Sequence, residues 1–281
     1  MPKIVTVRFY QVGKVHPHGP SLRAALDQIA ALGQPGARER QLAAGFRCRL
    51  ERYVPTAGYL TGEITRVRNE DFPAEVHPHG TAQLSVTVPI GEGIAFRYRE
   101  RDHVLAIQYD TRIVSPGRFI DYVSSLVPAA QFTADPKADA NALAHFRARP
   151  LKKVRIKLAQ PQDLRNVEPS MQSAARSFRS LGRDYAAPIV TLEMSVGHED
   201  GSLSQDAKRM VEGFVRRAGG NSDVRSVTIK PDNGPGQENR ELNLLDALLS
   251  VKTEIPNAHN DPQVSYNARL RVVERALNGH R

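Results

Sequence analysis

Lys153, Arg155 and Lys157 alternate with Val154, Ile156 and Leu158 in the run LKKVRIKL. Successive side chains of an extended strand point to opposite faces, so three cations share one face at intervals of about 6–7 Å. That interval approaches the separation of phosphates along a nucleic-acid strand, and Arg147, Arg149 and Lys152 extend the row. Contacts of this kind hold a backbone in place and read no base sequence. Arg176, Arg179 and Arg183 follow, on and just after a helix expected over 169–181. Arg269, Arg271 and Arg275 lie on the last helix and are expected to assist. The same strand row also fits a solvated face or a site for an acidic protein partner. The last helix also fits a dimer interface, or a surface helix whose arginines keep their heads in water.

The distribution of charge favours an anionic partner. The 281 residues carry 39 Lys and Arg against 30 Asp and Glu, a net charge of +9. Residues 147–183 alone hold ten basic groups and two acidic ones, whereas 184–281 hold twelve and fourteen. A solvated face mixes both signs, so this segregation is the most informative feature of the composition.

Other chemistries find less support. His-Pro-His-Gly occurs twice, at 16–19 and 77–80. Four imidazoles could hold zinc if the two turns met, yet proline and glycine at these spacings also make ordinary turns. The one cysteine, Cys48, falls on the apolar side of a strand and reads as core. Glu193, His198, Glu199, Asp200 and Asp232 could be assembled with Lys230 into a metal-dependent nuclease site. There is no phosphate-binding glycine loop, nucleophile elbow or zinc-protease helix. No catalytic residue, resident metal or cofactor is therefore expected, and no helix-turn-helix, zinc-finger or RNA-recognition signature appears.

The elements that must position these residues follow from periodicity. Strands are expected at 3–12, around Phe46, Cys48 and Leu50, and at 59–68 and 84–88, with a hairpin of 93–99 and 104–109. Ser21 and Ser115-Pro116 read as helix starts. Residues 128–142 read as a linker or long loop. A helix over 202–218 opens with Ser202 and Gln205 at capping-box spacing. Strands are expected at 189–196 and 224–230, and 242–255 fits either strand or helix. The last helix is expected to bury Tyr266, Leu270, Val273 and Leu277. The fold class is α/β (α+β), with a strand- and hairpin-rich domain over 1–130, a linker over 131–146 and a basic α/β domain over 147–281. The latter is an α/β sandwich for which a ferredoxin-like arrangement is one solution.

The run LSVTVPIGEGIAFRYRERDHVLAIQYDTRIVSPGRFIDYVSSLV resembles the middle of the DNA-binding component of the phage lambda exclusion (Rex) system. The likeness continues loosely through PIVTLEMSVGHEDGSLSQDAKRMVEGF and VRSVTIKPDNGPGQENRELN. GEITRVRNEDFP is similar to uncharacterised bacterial proteins of prophages and defence islands. The resemblance carries no functional residues with it. It implies a DNA-binding homodimer in an abortive-infection or phage-exclusion system, acting through a separate effector protein. The reading reached from the residues is a cytoplasmic binder of nucleic acid that does not insert into a membrane, and the resemblance adds DNA ahead of RNA and a sensing role in an anti-phage system. Its alternatives are an effector nuclease of such a system and a protein–protein adaptor that uses the basic strand.

Overall fold

Val5, Val7 and Phe9 occupy one side of the first strand and Tyr10 and Val12 the other, and all five are buried. A strand with two buried sides must be covered on both faces of its sheet. The computed structural model describes residues 3–69, 72, 74–84, 86–139, 144, 146–161, 164, 167–197, 201–220, 223–232, 241–256 and 261–280. It has an α+β fold made of two units, Met1–Ala134 with Ser250–Arg281, and Asp135–Leu249.

The first unit opens with β1 (Lys3–Lys14), α1 (Leu22–Ala30), the short β2 (Arg40–Gln41), β3 (Arg47–Thr56) and β4 (Tyr59–Arg68). A small hairpin of β5 (Glu75–His77) and β6 (Gly80–Ala82) follows. Next come β7 (Ile90–Arg99), β8 (Val104–Gln108), α2 (Pro116–Leu126) and β9 (Phe132–Pro136). The second unit supplies β10 (Leu151–Ala159), α3 (Gln172–Asp184), β11 (Ile189–Ser195), α4 (Gln205–Gly220), β12 (Val224–Pro231) and β13 (Leu242–Asn243). The chain then returns to the first unit with β14 (Ser250–Ile255) and α5 (Pro262–Gly279).

The main sheet of the first unit runs β14-β1-β8-β7-β4-β3-β2, with β9 beside β1 off this path. Its neighbours pair antiparallel. One face carries Tyr10, Ile64, Phe96 and Leu105 into a core shared with Leu26 of α1 and Phe119 of α2. Ser21 caps α1 by accepting from the Ala24 N–H at 3.1 Å, and Ser115 caps α2 through the Arg118 N–H at 3.2 Å. The Tyr122 hydroxyl ties α2 down, accepting from the Leu50 N–H and donating to the Arg38 carbonyl. On the other face, Val272, Val273, Ala276 and Leu277 of α5 are buried, and α5 packs on β7, β8 and β1.

The sheet of the second unit runs β11-β10-β12-β13. β11 and β12 both pair antiparallel with β10, so they run parallel to each other, and α4 joins them as a split β-α-β unit. The second such unit of a ferredoxin-like arrangement is missing, because α3 links two antiparallel neighbours instead. Val154, Ile156 and Leu158 form the core with Phe178 of α3 and Phe214 of α4, whose rings meet edge to face.

Several expectations are corrected. The basic domain does not extend to 281: β14 pairs with β1, and α5 covers the first unit's sheet. The linker contains β9. The described residues of 84–88 form no strand. α4 starts later than its supposed capping box, with Ser204 accepting from the Ala207 N–H at 3.3 Å. Residues 242–255 divide between the units, Leu244 and Leu248 entering the second core before β14 begins.

Candidate nucleic-acid interface

The apolar alternation of β10 buries Val154, Ile156 and Leu158 under the two helices, which leaves Lys153, Arg155 and Lys157 together on the opposite, open face. Two of these cations are engaged. Arg155 lies 2.7 Å from Glu193, its cross-strand neighbour on β11, and 3.4 Å from Glu241. Lys153 reaches the same two carboxylates at 3.0 and 3.2 Å. Hydrogen bonds from Arg155 and Lys153 hold the Glu193 carboxyl below its ordinary range, so it stays charged. In turn, the carboxylates raise Lys153 and Arg155. Lys157 is exposed beside Thr191 and Ser226 and has no ion-pair partner among the described residues. Lys230 stands opposite Lys153 on β12. Lys152 lies at a bulge in the β10–β12 pairing, 3.5 Å from Asp232.

Arg176, Arg179 and Arg183 follow the i, i+3, i+7 spacing of one helical face on α3, and with Ser180 they line an open concavity. Arg176 is exposed without an ion-pair partner among the described residues. Arg179 donates to the Leu164 carbonyl at 3.2 Å, and Arg183 meets Asp184 at 3.1 Å, where both side chains are well exposed. Because α3 shares the core with the buried side of β10, this stripe lies on the other side of the sheet from Lys153 and Arg155. Arg147 also belongs to the helical side, paired with Glu212 of α4 at 2.8 Å. Arg149 is half-buried. The segment that reads as one continuous basic surface is therefore divided between two.

Arg269 is corrected more sharply. Its side chain is 8% exposed and sits 2.6 Å from Glu63, itself 7% exposed, while also donating to the Gly93 and Ser265 carbonyls. It holds α5 to the sheet and presents no cation to a ligand. Arg271 and Arg275 are exposed on the same helix, in the first unit.

Of the nuclease set, His198, Glu199 and Asp200 lie outside the described residues. Glu193 is taken up by Arg155 and Lys153, and Asp232 faces Lys152. Among the described residues no three His, Cys, Asp or Glu side chains gather as a metal would require. The second His-Pro-His-Gly forms the turn of the β5–β6 hairpin, with Gly80 at φ +144, and His77 sits 3.3 Å from Glu75. Cys48 is fully buried, and burial pushes its thiol up to about 12, which removes it as a nucleophile.

Grouping charge by unit inverts the reading along the chain. The first unit holds 21 basic and 15 acidic groups and the second 18 and 15. The carboxylates that follow residue 183 fold back onto the basic segment, while a cluster of arginines absent from the expectations forms in the first unit. Arg47, Arg66, Arg68, Arg112 and Arg118 line one cleft beside Phe46. They come from four separate parts of the chain, and only the fold gathers them around Phe46.

Among the described residues no helix is long and apolar enough to cross a membrane. No protein-family model matches the chain, and no curated protein matches it in sequence.

Proposed function

We propose that this protein binds nucleic acid through the phosphate backbone, without reading base sequence. The observation that carries this reading is the α3 stripe: three arginines within two turns of one helical face, Arg176 and Arg183 exposed and Arg179 half-buried, with Asp184 at its end the one carboxylate that pairs with them among the described residues. Arginine suits the role because its planar guanidinium stays charged and matches phosphate geometry. The open face of β10 is a second contact surface, reduced in strength because Glu193 and Glu241 occupy Lys153 and Arg155. The preference for DNA over RNA follows the resemblance to the exclusion-system protein. So do a homodimeric state and a sensing role in phage exclusion through a separate effector. A nuclease is less well supported, because the described carboxylates of its supposed site are held by cations.

The test is a salt titration of binding to labelled duplex DNA, single-stranded DNA and RNA, with and without magnesium. The wild type is expected to bind steeply with salt and leave the strand uncut. Reversing Arg176, Arg179 and Arg183 to Glu should flatten the log–log salt slope for duplex DNA by about 2.7, at 0.9 per lost phosphate contact. An unchanged slope would remove α3 as the contact surface. Binding that is absent even at low salt would turn the reading toward an acidic protein partner, and magnesium-dependent cleavage would put the nuclease first. The exclusion role predicts that cells carrying the triple variant lose protection against phage, measured by plaque counts.

A further inference from the structure

The arginine cleft of the first unit encloses about 400 Å³ and takes its side chains from β3, the end of β4, the turn after β8 and the first turn of α2. Three of its five arginines meet carboxylates. Arg47 pairs with Glu39, Arg68 lies 3.6 Å from Glu92, and Arg112 holds Asp110 through two hydrogen bonds of 2.9 and 3.0 Å. Arg66 and Arg118 have no carboxylate within ion-pairing distance among the described residues. Arg66 donates to the Arg112 carbonyl at 2.5 Å, and its guanidinium carbon stands 5.3 Å from the centre of the Phe46 ring. Arg118 stands 3.9 Å from that centre.

These two cations are therefore gathered around one aromatic ring at some cost. Burial, and then the nearby Arg66 charge, lower the affinity of Arg118 for its proton. Asp121, one turn along α2, acts on Arg118 only through space and is itself pushed up by burial. Arg118 also occupies the first turn of an eleven-residue helix, where the helix dipole disfavours a cation. A half-buried guanidinium beside a like charge is stabilised by an anion that meets both.

We infer that this cleft binds a phosphomonoester. Such a group carries about −1.5 to −2 charges at neutral pH and three strong acceptor oxygens, matching the two guanidiniums that meet no carboxylate among the described residues. A phosphodiester within a strand offers only one charge. Resting on the proposed nucleic-acid binding for its source, the ligand is either a free nucleotide or the terminal phosphate of a nucleic-acid strand. The α3 stripe plays no part in this site.

The experiment uses the full chain and measures binding of inorganic phosphate, AMP and adenosine by calorimetry, with thermal unfolding alongside. Phosphate and AMP are expected to bind and raise the melting temperature, and adenosine to do neither. Arg66→Gln and Arg118→Gln should each weaken AMP at least tenfold. Arg118→Gln should keep or raise the melting temperature of the free protein, and Arg66→Gln serves if it does not fold. The triple α3 variant should bind AMP as the wild type does, so loss of strand binding in that variant and loss of AMP binding here report on separate sites. AMP binding no better than adenosine, or undiminished in both glutamine variants, would overturn the inference. A strand with a 5′-phosphate binding at least tenfold tighter than its 5′-hydroxyl counterpart assigns the site to strand ends. AMP binding tighter than either strand assigns it to free nucleotide.

Discussion

Arg269 shows how one side chain changes role between chain and fold. Helical spacing from Tyr266 to Val273 lets either position 269 or 270 face inward. Hydrophobicity favours Leu270, which is only half-buried, whereas Arg269 is buried. The deciding group is Glu63, 206 residues away on β4, which needs a cation on that face of the sheet. Gly93 belongs to the same arrangement, because a Cβ there would lie 2.3 Å from the Glu63 carboxylate. Removing one partner of a buried pair leaves the other charge uncompensated. Arg269→Ala should therefore cost about 3 kcal/mol, at the lower end for such pairs because Arg52 also reaches Glu63. Chemical denaturation checks this. The folded variant should bind DNA as tightly as the wild type, which separates a structural arginine from a phosphate contact.

At the scale of elements, most local signals were legible, although the cap of α4 falls on Ser204 and not on Ser202. Ser21 and Ser115 cap helices within three residues, and the alternation in β10 sorts Lys153, Arg155 and Lys157 onto one face. What those cations face was not legible, because Glu193 and Glu241 arrive through strand pairing and a later connection. Exposed ion pairs add little stability, so their main consequence is electrostatic: they mask the row. Glu193→Gln with Glu241→Gln should unmask two cations and steepen the duplex-DNA salt slope by as much as about 1.8. An unchanged slope, measured by the same salt titration, would show that the open face of β10 does not meet the strand. Acid has the same sign of effect. Glu193 is held below the ordinary carboxylate range, so its hold on Lys153 and Arg155 is lost only as pH falls through that depressed value.

For the whole molecule, the return of β14 and α5 to the first unit has a direct consequence. Ending the chain after residue 249 removes the strand paired with β1 and uncovers the face that carries Val5, Val7 and Phe9. That truncation should abolish protection from hydrogen exchange in β1, β7 and β8 while leaving it in β10 and β12, whose core is complete within residues 135–249. The α+β class, most of the strands and helices, and the basic face of β10 can be read along the chain alone. Each depends on residues near one another in the chain, through alternation, helical spacing or capping. The unit to which the last helix belongs, the partial neutralisation of the basic segment and the gathering of Arg66 and Arg118 arise from the folding of distant segments onto one another. Coulomb interactions depend on distance in space, and a net charge counted along the chain cannot tell which carboxylate the fold will bring within 3 Å.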